Sequence, residues 1–191
     1  MSGLHFVELA LSVGCLVCGI VTAVSVTITQ GGLGGQCMLY GTVSYNATAH
    51  TVQAQLPGPV SLCSFVSGVS VAVAIVCFLL ALYSLCSGCS GSRRERVCVY
   101  FTLCVCGLFL LFLLVSGCIL HVGRDALCRD IVDTVDGITS CEQAQKLKWA
   151  APFDGENFYT RLHNAETAVW VNLSLWAVMG VLLFVQKGAK K

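Results

Sequence analysis

The chain has 191 residues, of which 56% are hydrophobic and only 11% are charged, with a formal net charge of +1. A soluble domain carries about a quarter charged residues, so this composition excludes a soluble globular protein and predicts a polytopic membrane protein. The charge is near zero and no basic stretch is interleaved with aromatic residues, so nucleic-acid binding is not indicated.

Four apolar runs are long enough to cross a hydrocarbon core about 30 Å thick as helices that rise about 1.5 Å per residue. We therefore predict four transmembrane helices in a single membrane domain that covers residues 1–191. The predicted spans cover residues 5–28, 62–85, 97–120 and 167–185.

The loop at 87–96 orients these spans, because it contains Arg93, Arg94 and Arg96 between two apolar runs. Short loops rich in arginine and lysine face the cytosol. Four spans then predict that both termini are cytosolic and that two segments, 29–61 and 122–166, lie outside. We expect a multi-pass protein of the secretory pathway, with the plasma membrane as the favoured location.

The first outside segment contains no charged residue and begins with the flexible sequence GGLGG. Residues 38–46 and 50–56 then alternate and are rich in β-branched and aromatic side chains, which predicts a β-hairpin that turns near Asn46. The sequon Asn46-Ala47-Thr48 lies at this turn. Asn46 is therefore a candidate N-glycosylation site.

The second outside segment is mildly acidic and contains two helical patterns. Leu127, Ile131 and Val135 recur at helical spacing, which predicts a short amphipathic helix after the third span. A second helix is predicted after Pro152, and it can run unbroken into the fourth span.

Four cysteines, Cys37, Cys63, Cys128 and Cys141, fall in the outside segments, where an oxidising compartment maintains disulfides. Four cysteines allow three pairings, and Cys118, near the outer end of the third span, widens the choice. We favour Cys37 with Cys63 at the base of the hairpin and Cys128 with Cys141 beside the amphipathic helix. Each bridge would contribute roughly 3 kcal/mol.

Three further thiols, Cys86, Cys89 and Cys98, flank the predicted cytosolic loop. Thiols next to a membrane span are candidates for S-palmitoylation, and the alternative is that they are unmodified small residues. The CxxC at 86–89 does not indicate a zinc site, because no second pair of ligands is near it in the sequence.

Two polar residues lie inside predicted spans. Glu8 occurs in the first turns of its helix, which favours a capping or helix-pairing role over a proton relay. Asn172 in the fourth span can donate a hydrogen bond to another helix. Small residues four positions apart also let helices approach closely, and they occur at Gly14/Cys18, Cys15/Gly19 and Gly68/Ala72.

Catalysis and transport have little support in the sequence. The four histidines are scattered, and HExxH, GxSxG and phosphate-binding glycine motifs are absent. His163 and Glu166 form the best available acid–base pair, although a surface ion pair is the more common meaning of such a pattern. We expect no catalytic residue, no cofactor and no metal, and a small membrane enzyme or transporter is the least favoured alternative.

Six motifs occur in order along nearly the whole chain: CxLYG at 37–41, SLC at 61–63, SGCIL at 116–120, SCEQAQK at 140–146, LHNAET at 162–167 and WVNL at 170–173. This series resembles the transmembrane protein 179 and 179B family, which implies a multi-pass membrane protein without an assigned activity. The layout is also similar to that of claudins and peripheral myelin protein 22, although their W-GLW-C-C signature is absent.

We therefore predict an all-α membrane protein, a four-transmembrane-helix bundle with a small extracellular β-hairpin and short extracellular helices in a claudin-like layout. The expected function is that of a non-catalytic accessory subunit that binds a larger channel, pump or receptor in the lipid bilayer. A bound lipid or sterol is a further candidate partner, and nucleic acid is not expected. The alternative function is claudin-like adhesion or lateral self-assembly through the uncharged hairpin.

Overall fold

The computed structural model describes residues 3–49, 51–90, 96–135, 137–151 and 153–189. Within these ranges the helices are α1 (Gly3–Gly32), α2 (Val60–Ser90), α3 (Arg96–Thr134), α4 (Cys141–Ala144) and α5 (Phe158–Ala189). The strands are β1 (Cys37–Asn46), β2 (Thr51–Gly58) and β3 (Lys148–Trp149).

The four long helices are each long and apolar enough to cross a membrane, which confirms a multi-pass membrane protein. Helix α1 packs on α2 and α5, and α5 also packs on α3, whereas α2 and α3 touch each other much less. The interior contains apolar side chains such as Val26, Val73, Leu113 and Trp176, each of which is 0 or 1% exposed. The outward faces of the helices are also apolar, as contact with lipid requires.

Helix α3 is longer than the sequence predicted. The predicted short amphipathic helix is not separate from the third span, because one helix of 39 residues covers both. Leu120, Leu127 and Ile131 are all buried on one face of this helix. At about 1.5 Å per residue, the part of α3 after Leu120 projects about 20 Å beyond the bundle.

The other helix boundaries also differ in detail. Helix α2 continues to Ser90, so residues 87–90 belong to a helix and not to the predicted loop, whereas 91–95 lie outside the described residues. Helix α5 runs without a break from Phe158 to Ala189, as expected for a helix that continues into the fourth span.

The described parts of segments 33–59 and 121–157 form a cap at one end of the bundle, and the start of α1 and the end of α5, where Glu8 contacts Gln186, lie at the other end. The predicted hairpin is present: β1 and β2 are antiparallel, with Asn46 opposite Thr51. A third strand that the sequence did not predict, β3, pairs in parallel with β2 through Thr51–Lys148 and Val52–Trp149. The sheet order is β1-β2-β3.

Candidate functional site

Two disulfides stabilise the cap, one by joining it to α2 and one within it. Cys37 is bonded to Cys63, which joins β1 to the start of α2, and the two Cα atoms are 5.8 Å apart. Cys128 is bonded to Cys141, which joins α3 to α4 across a Cα distance of 5.3 Å. These are the two pairings that the sequence favoured, and Cys118 remains an exposed free thiol.

A charge cluster joins α3 to α5 where the cap meets the bundle. Arg124 on α3 donates a hydrogen bond from Nη1 to Glu166 Oε2 on α5. Nδ1 of His121 lies 2.8 Å from the other oxygen of the same carboxylate. The side chains of Arg124 and Glu166 are each only 11% exposed, so this ion pair is largely removed from water.

Further contacts fix the position of the Arg124 guanidinium. It donates to Asp125 Oδ1 from Nη2 at 2.9 Å, and Nη1 lies 3.1 Å from His163 Nδ1. The ring of Tyr159 lies 5.8 Å from the guanidinium carbon and stacks on His163. We call Arg124, Glu166, His121, Asp125, His163 and Tyr159 the α3–α5 charge cluster.

The α3–α5 charge cluster changes the interpretation of His163 and Glu166, which the sequence suggested as an acid–base pair. The carboxylate of Glu166 binds Arg124 and His121, and His163 contacts Arg124 instead. Among the described residues there is no group of three or more His, Cys, Asp or Glu side chains that could hold a metal ion. The cluster therefore acts chemically as a buried ionic contact between two helices.

The sheet is held on the long helix by one charge-assisted hydrogen bond and by close packing. The backbone N–H of Val43 donates to Asp130 Oδ2 at 2.6 Å. A Cβ atom on Gly123 would lie 2.9 Å from Leu39 Cβ, so the approach of β1 to α3 depends on glycine at this position. The cap is therefore attached to α3 along most of its projecting part.

The final loop of the cap is anchored at both ends. Gln145 Oε1 accepts hydrogen bonds from the backbone N–H and the hydroxyl group of Thr160 on α5, at 3.2 and 3.0 Å. The backbone N–H of Asp154 donates to the carbonyl of Gly32 at the end of α1, at 2.7 Å. The cap therefore contacts α1 and α5 as well as α3.

Glu8 and Asn172 both form contacts between helices. Gln186 on α5 donates from Nε2 to Glu8 Oε1 on α1 at 2.6 Å, and the Glu8 residue is 6% exposed. Asn172 Nδ2 donates to the carbonyl of Cys15 on α1 at 3.4 Å. Both residues therefore lie in the helix-pairing positions that the sequence favoured.

Of the three thiols proposed for palmitoylation, only the side chain of Cys86 is described, and it is exposed. The backbone of Cys89 lies in α2 and that of Cys98 lies in α3, but their side chains lie outside the described residues. Palmitoylation of these thiols stays a prediction.

Asn46 lies at the exposed tip of the hairpin. Its Oδ1 atom accepts hydrogen bonds from the backbone N–H groups of Thr48 and Ala49, at 3.1 and 3.3 Å. A tight turn of this kind presents the side chain to solvent, as a glycosylation acceptor requires.

We predict that Asn46→Gln and Thr48→Ala each remove the same electrophoretic shift that peptide N-glycosidase removes from the wild-type protein expressed in animal cells. The second sequon, at Asn172, has a buried acceptor that is 1% exposed. Ser174→Ala, which abolishes that second sequon, should leave the mobility unchanged. A shift that survives Asn46→Gln would refute the assignment.

Two contacts of the site were not anticipated from the sequence, namely Arg124 with Glu166 and Asp130 with Val43. The sequence does contain a feature that could have predicted the contact between Arg124 and Glu166. Arg124 is the first arginine or lysine after the apolar run of α3, and Glu166 is the last carboxylate before the apolar run of α5. Antiparallel neighbouring helices place such residues at the same depth.

Comparison with known proteins identifies the family to which this chain is similar. A family model described as Transmembrane protein 179/179B Claudin domain matches residues 4–191. The chain is 48% identical to Transmembrane protein 179B of Danio rerio over 182 residues, which cover 94% of this chain and 82% of that protein.

Mammalian proteins are similar over the same length. Transmembrane protein 179B of Homo sapiens is 40% identical over 187 residues, which cover 97% of this chain and 84% of that protein. The protein of the same name from Mus musculus is 36% identical over 184 residues, which cover 96% and 83% of the two chains. No solved structure matches the chain.

Proposed function

The chain belongs to the transmembrane protein 179/179B family, and on this premise we propose that it is a non-catalytic accessory subunit that binds laterally to a larger channel, pump or receptor. In this proposal the cap is extracellular, both termini are cytosolic and the plasma membrane is the site of action. The arginine-rich loop supports this orientation, and so do the two disulfides, which persist in oxidising compartments.

The observation that carries the proposal is a strip of small residues on the lipid-facing side of α2. Ser64, Gly68 and Ala72 are all exposed and recur every four residues, so they lie on one face of the helix. A Cβ atom on Gly68 would meet no atom within 4 Å. This face, which we call the α2 small-residue face, is flanked by the exposed Val71 and Ile75.

Other small residues of the spans are used inside the bundle. A Cβ atom on Gly19 would lie 2.9 Å from the carbonyl oxygen of Ser70 on α2, so Gly19 allows the close approach of α1 and α2. A Cβ atom on Gly14 would lie 3.1 Å from Leu175 Cδ1 on α5. The bundle therefore uses the small residues of α1, and the α2 small-residue face serves no contact within the described chain.

A transmembrane helix of another protein is the partner that fits this face. Within a membrane, helices associate through close van der Waals packing, which small residues permit and which lipid chains do not reproduce as well. The α2 small-residue face lies in the half of α2 nearest the cap. A partner helix bound there would place its own outer segments beside the cap.

The rigid attachment of the cap supports a modulatory role. The Cys37–Cys63 bridge connects the cap to α2, the α3–α5 charge cluster connects it to α5, and the Cys128–Cys141 bridge holds α4 on α3 within the cap. A force that a partner exerts on the cap would therefore reach the membrane helices, and the reverse also holds.

We predict that the tagged full-length protein, extracted from its native membrane in mild detergent, co-purifies with a stoichiometric membrane-protein partner. Gly68→Leu should abolish this co-purification, because the added side chain prevents close helix contact on the α2 small-residue face. The readout is quantitative mass spectrometry of the purified material.

Gly107→Leu is the matched control. Gly107 on α3 is also exposed, and a Cβ atom there also meets no atom within 4 Å, so both variants add the same side chain to an open lipid-facing position. Gly107→Leu should retain the partner. A stable lone monomer from native membrane would refute the proposal, and recovery of only a second copy of this chain would support self-assembly instead.

A further inference from the structure

An open cavity of about 600 Å³ lies in the cap, away from the α2 small-residue face. Two short segments form its walls: residues 145–149, which lead into β3, and residues 153–157, which precede α5. The two segments lie side by side because the indole ring of Trp149 packs on Gly155, where any Cβ atom would overlap the ring. Thr51 on β2 completes the lining.

The charges that line this cavity are opposite in sign and unpaired. Lys146 and Lys148 come from the first segment, and Asp154 and Glu156 come from the second. None of these four side chains forms an ion pair within the part of the chain that the structure describes. One wall of the cavity therefore carries two lysines and the other carries two carboxylic acids.

The remaining lining combines the polar residues Thr51, Gln145 and Asn157 with an apolar, partly buried surface. Leu147, Trp149 and Phe153 contribute this apolar surface, and Trp149 is held by an edge-to-face contact with Phe158 at 5.7 Å. Ligand sites commonly combine such apolar walls with a few polar groups that orient the ligand. The lining thus offers a cationic side, an anionic side and an apolar surface.

With the outer membrane edge at the predicted start of the fourth span, residue 167, the cavity lies outside the layer of lipid headgroups. The segment 153–157 lies beyond Phe158, which is eight residues from Glu166 at the edge of the bundle, or about 12 Å along the helix. The headgroup layer is only about 5 to 8 Å thick on each side of the hydrocarbon core. The opening therefore faces the aqueous phase.

We propose that this cavity binds a short peptide with free termini, whose ammonium group faces the acidic side and whose carboxylate faces the two lysines. A cavity of about 600 Å³ is roughly 10 Å across, which is the reach of about three extended residues. A central apolar side chain would lie against Trp149. The proposal does not depend on the lateral partner of α2.

The test uses the full-length protein in lipid nanodiscs and four peptides with the same backbone. Glycyl-leucyl-glycine carries both terminal charges, its N-acetyl form lacks the ammonium, its C-terminal amide lacks the carboxylate, and the doubly capped form is neutral. Binding is measured by calorimetry and by the change in tryptophan emission, to which Trp149 contributes. The zwitterion should bind saturably, and each capped form should bind at least about tenfold more weakly, because it loses a charged hydrogen bond.

Variants locate the site. Lys146→Gln combined with Lys148→Gln should weaken binding of the zwitterion by about tenfold or more and should remove its preference over the C-terminal amide. Asp154→Asn combined with Glu156→Gln should do the same with respect to the N-acetyl form. Asp154 Oδ1 accepts the N–H of Glu156 at 3.0 Å, and asparagine retains that acceptor, so the turn is preserved.

Arg129→Gln and Glu142→Gln are the matched controls, because both residues are exposed charges of the cap that do not line the cavity. Both should leave the affinity unchanged, and so should Gly68→Leu. Equal binding of the four peptides, a preference for a singly charged form, or no binding at millimolar concentration would overturn the proposal.

Discussion

Arg124→Gln is expected to lower the free energy of unfolding by about 3 to 5 kcal/mol, because it leaves Glu166 as a buried carboxylate without its cationic partner. Both side chains are 11% exposed, so water can replace the lost guanidinium only partly. His121 remains beside the carboxylate, but one ring nitrogen at 2.8 Å replaces only part of the guanidinium contact. The measurement is unfolding in detergent, followed by circular dichroism and by tryptophan fluorescence.

A double-mutant cycle separates the ion pair from its surroundings. Glu166→Gln alone should also destabilise the protein, and the double variant should lose clearly less than the sum of the two single losses, because neither charge is then buried alone. Arg129→Gln replaces an exposed arginine on the same helix and should change the stability by less than about 0.5 kcal/mol. A loss below about 1 kcal/mol for Arg124→Gln would contradict the structure of the cluster.

Removal of the Cys37–Cys63 bridge with the double variant Cys37→Ser and Cys63→Ser should destabilise the cap by about 3 kcal/mol. The bridge spans 26 residues and closes the hairpin onto the start of α2, so its loss frees β1 and β2 to open locally. A change of this size corresponds to roughly 100-fold faster hydrogen exchange, since each 1.4 kcal/mol is a factor of about ten.

The exchange experiment has an internal and an external control. The acceleration should be confined to the backbone amides of the β1–β2 hairpin, while those of the spans remain protected. Cys118→Ser replaces an exposed free thiol and should leave the exchange of the hairpin unchanged. Equal protection of Val43 and Val52 with and without the bridge would show that the cap is held by packing and hydrogen bonds alone.

These two predictions address the same property, which is the rigid connection of the cap to the membrane helices. The Arg124–Glu166 contact joins α3 to α5 at the base of the cap, and the Cys37–Cys63 bridge joins the sheet to α2. An accessory subunit of the kind proposed above would need this connection. Variants that loosen it, but leave the protein in the membrane, should weaken any modulation of a partner.

The end of α3 shows where sequence analysis succeeded and where it failed. The helical spacing of Leu127, Ile131 and Val135 correctly predicted a helix. The helix does not end at residue 120, where hydropathy falls, so the third span and the predicted short helix form one continuous helix. Leu113, Leu120 and Leu127 are all 0 or 1% exposed and lie seven residues apart, so the buried face continues in phase across the supposed boundary. This seven-residue spacing could have been used to predict that the helix continues beyond residue 120.

The third strand had no comparable signal. Lys148 and Trp149 form a strand of two residues that exists only because β2 lies beside it. Two residues cannot show alternation, and the segment around them, Gln145 to Ala151, has no run of β-branched residues. The cavity beside them also requires β3 to lie next to β2. Neither the strand nor the cavity could therefore be predicted from the residue pattern of one segment.

The chain order of apolar and polar residues determined the four spans, the hairpin and the set of cysteines available for bridges. These features depend on length, periodicity and sequence distance, which are local properties of a chain. Only the tertiary structure decided that Gly19 packs against α2 while Gly68 faces lipid, and that Arg124 meets Glu166 42 residues away. The reason is physical: a small residue or a charge acquires its role from the helix that packs beside it, and that neighbour is chosen by the packing of the whole bundle.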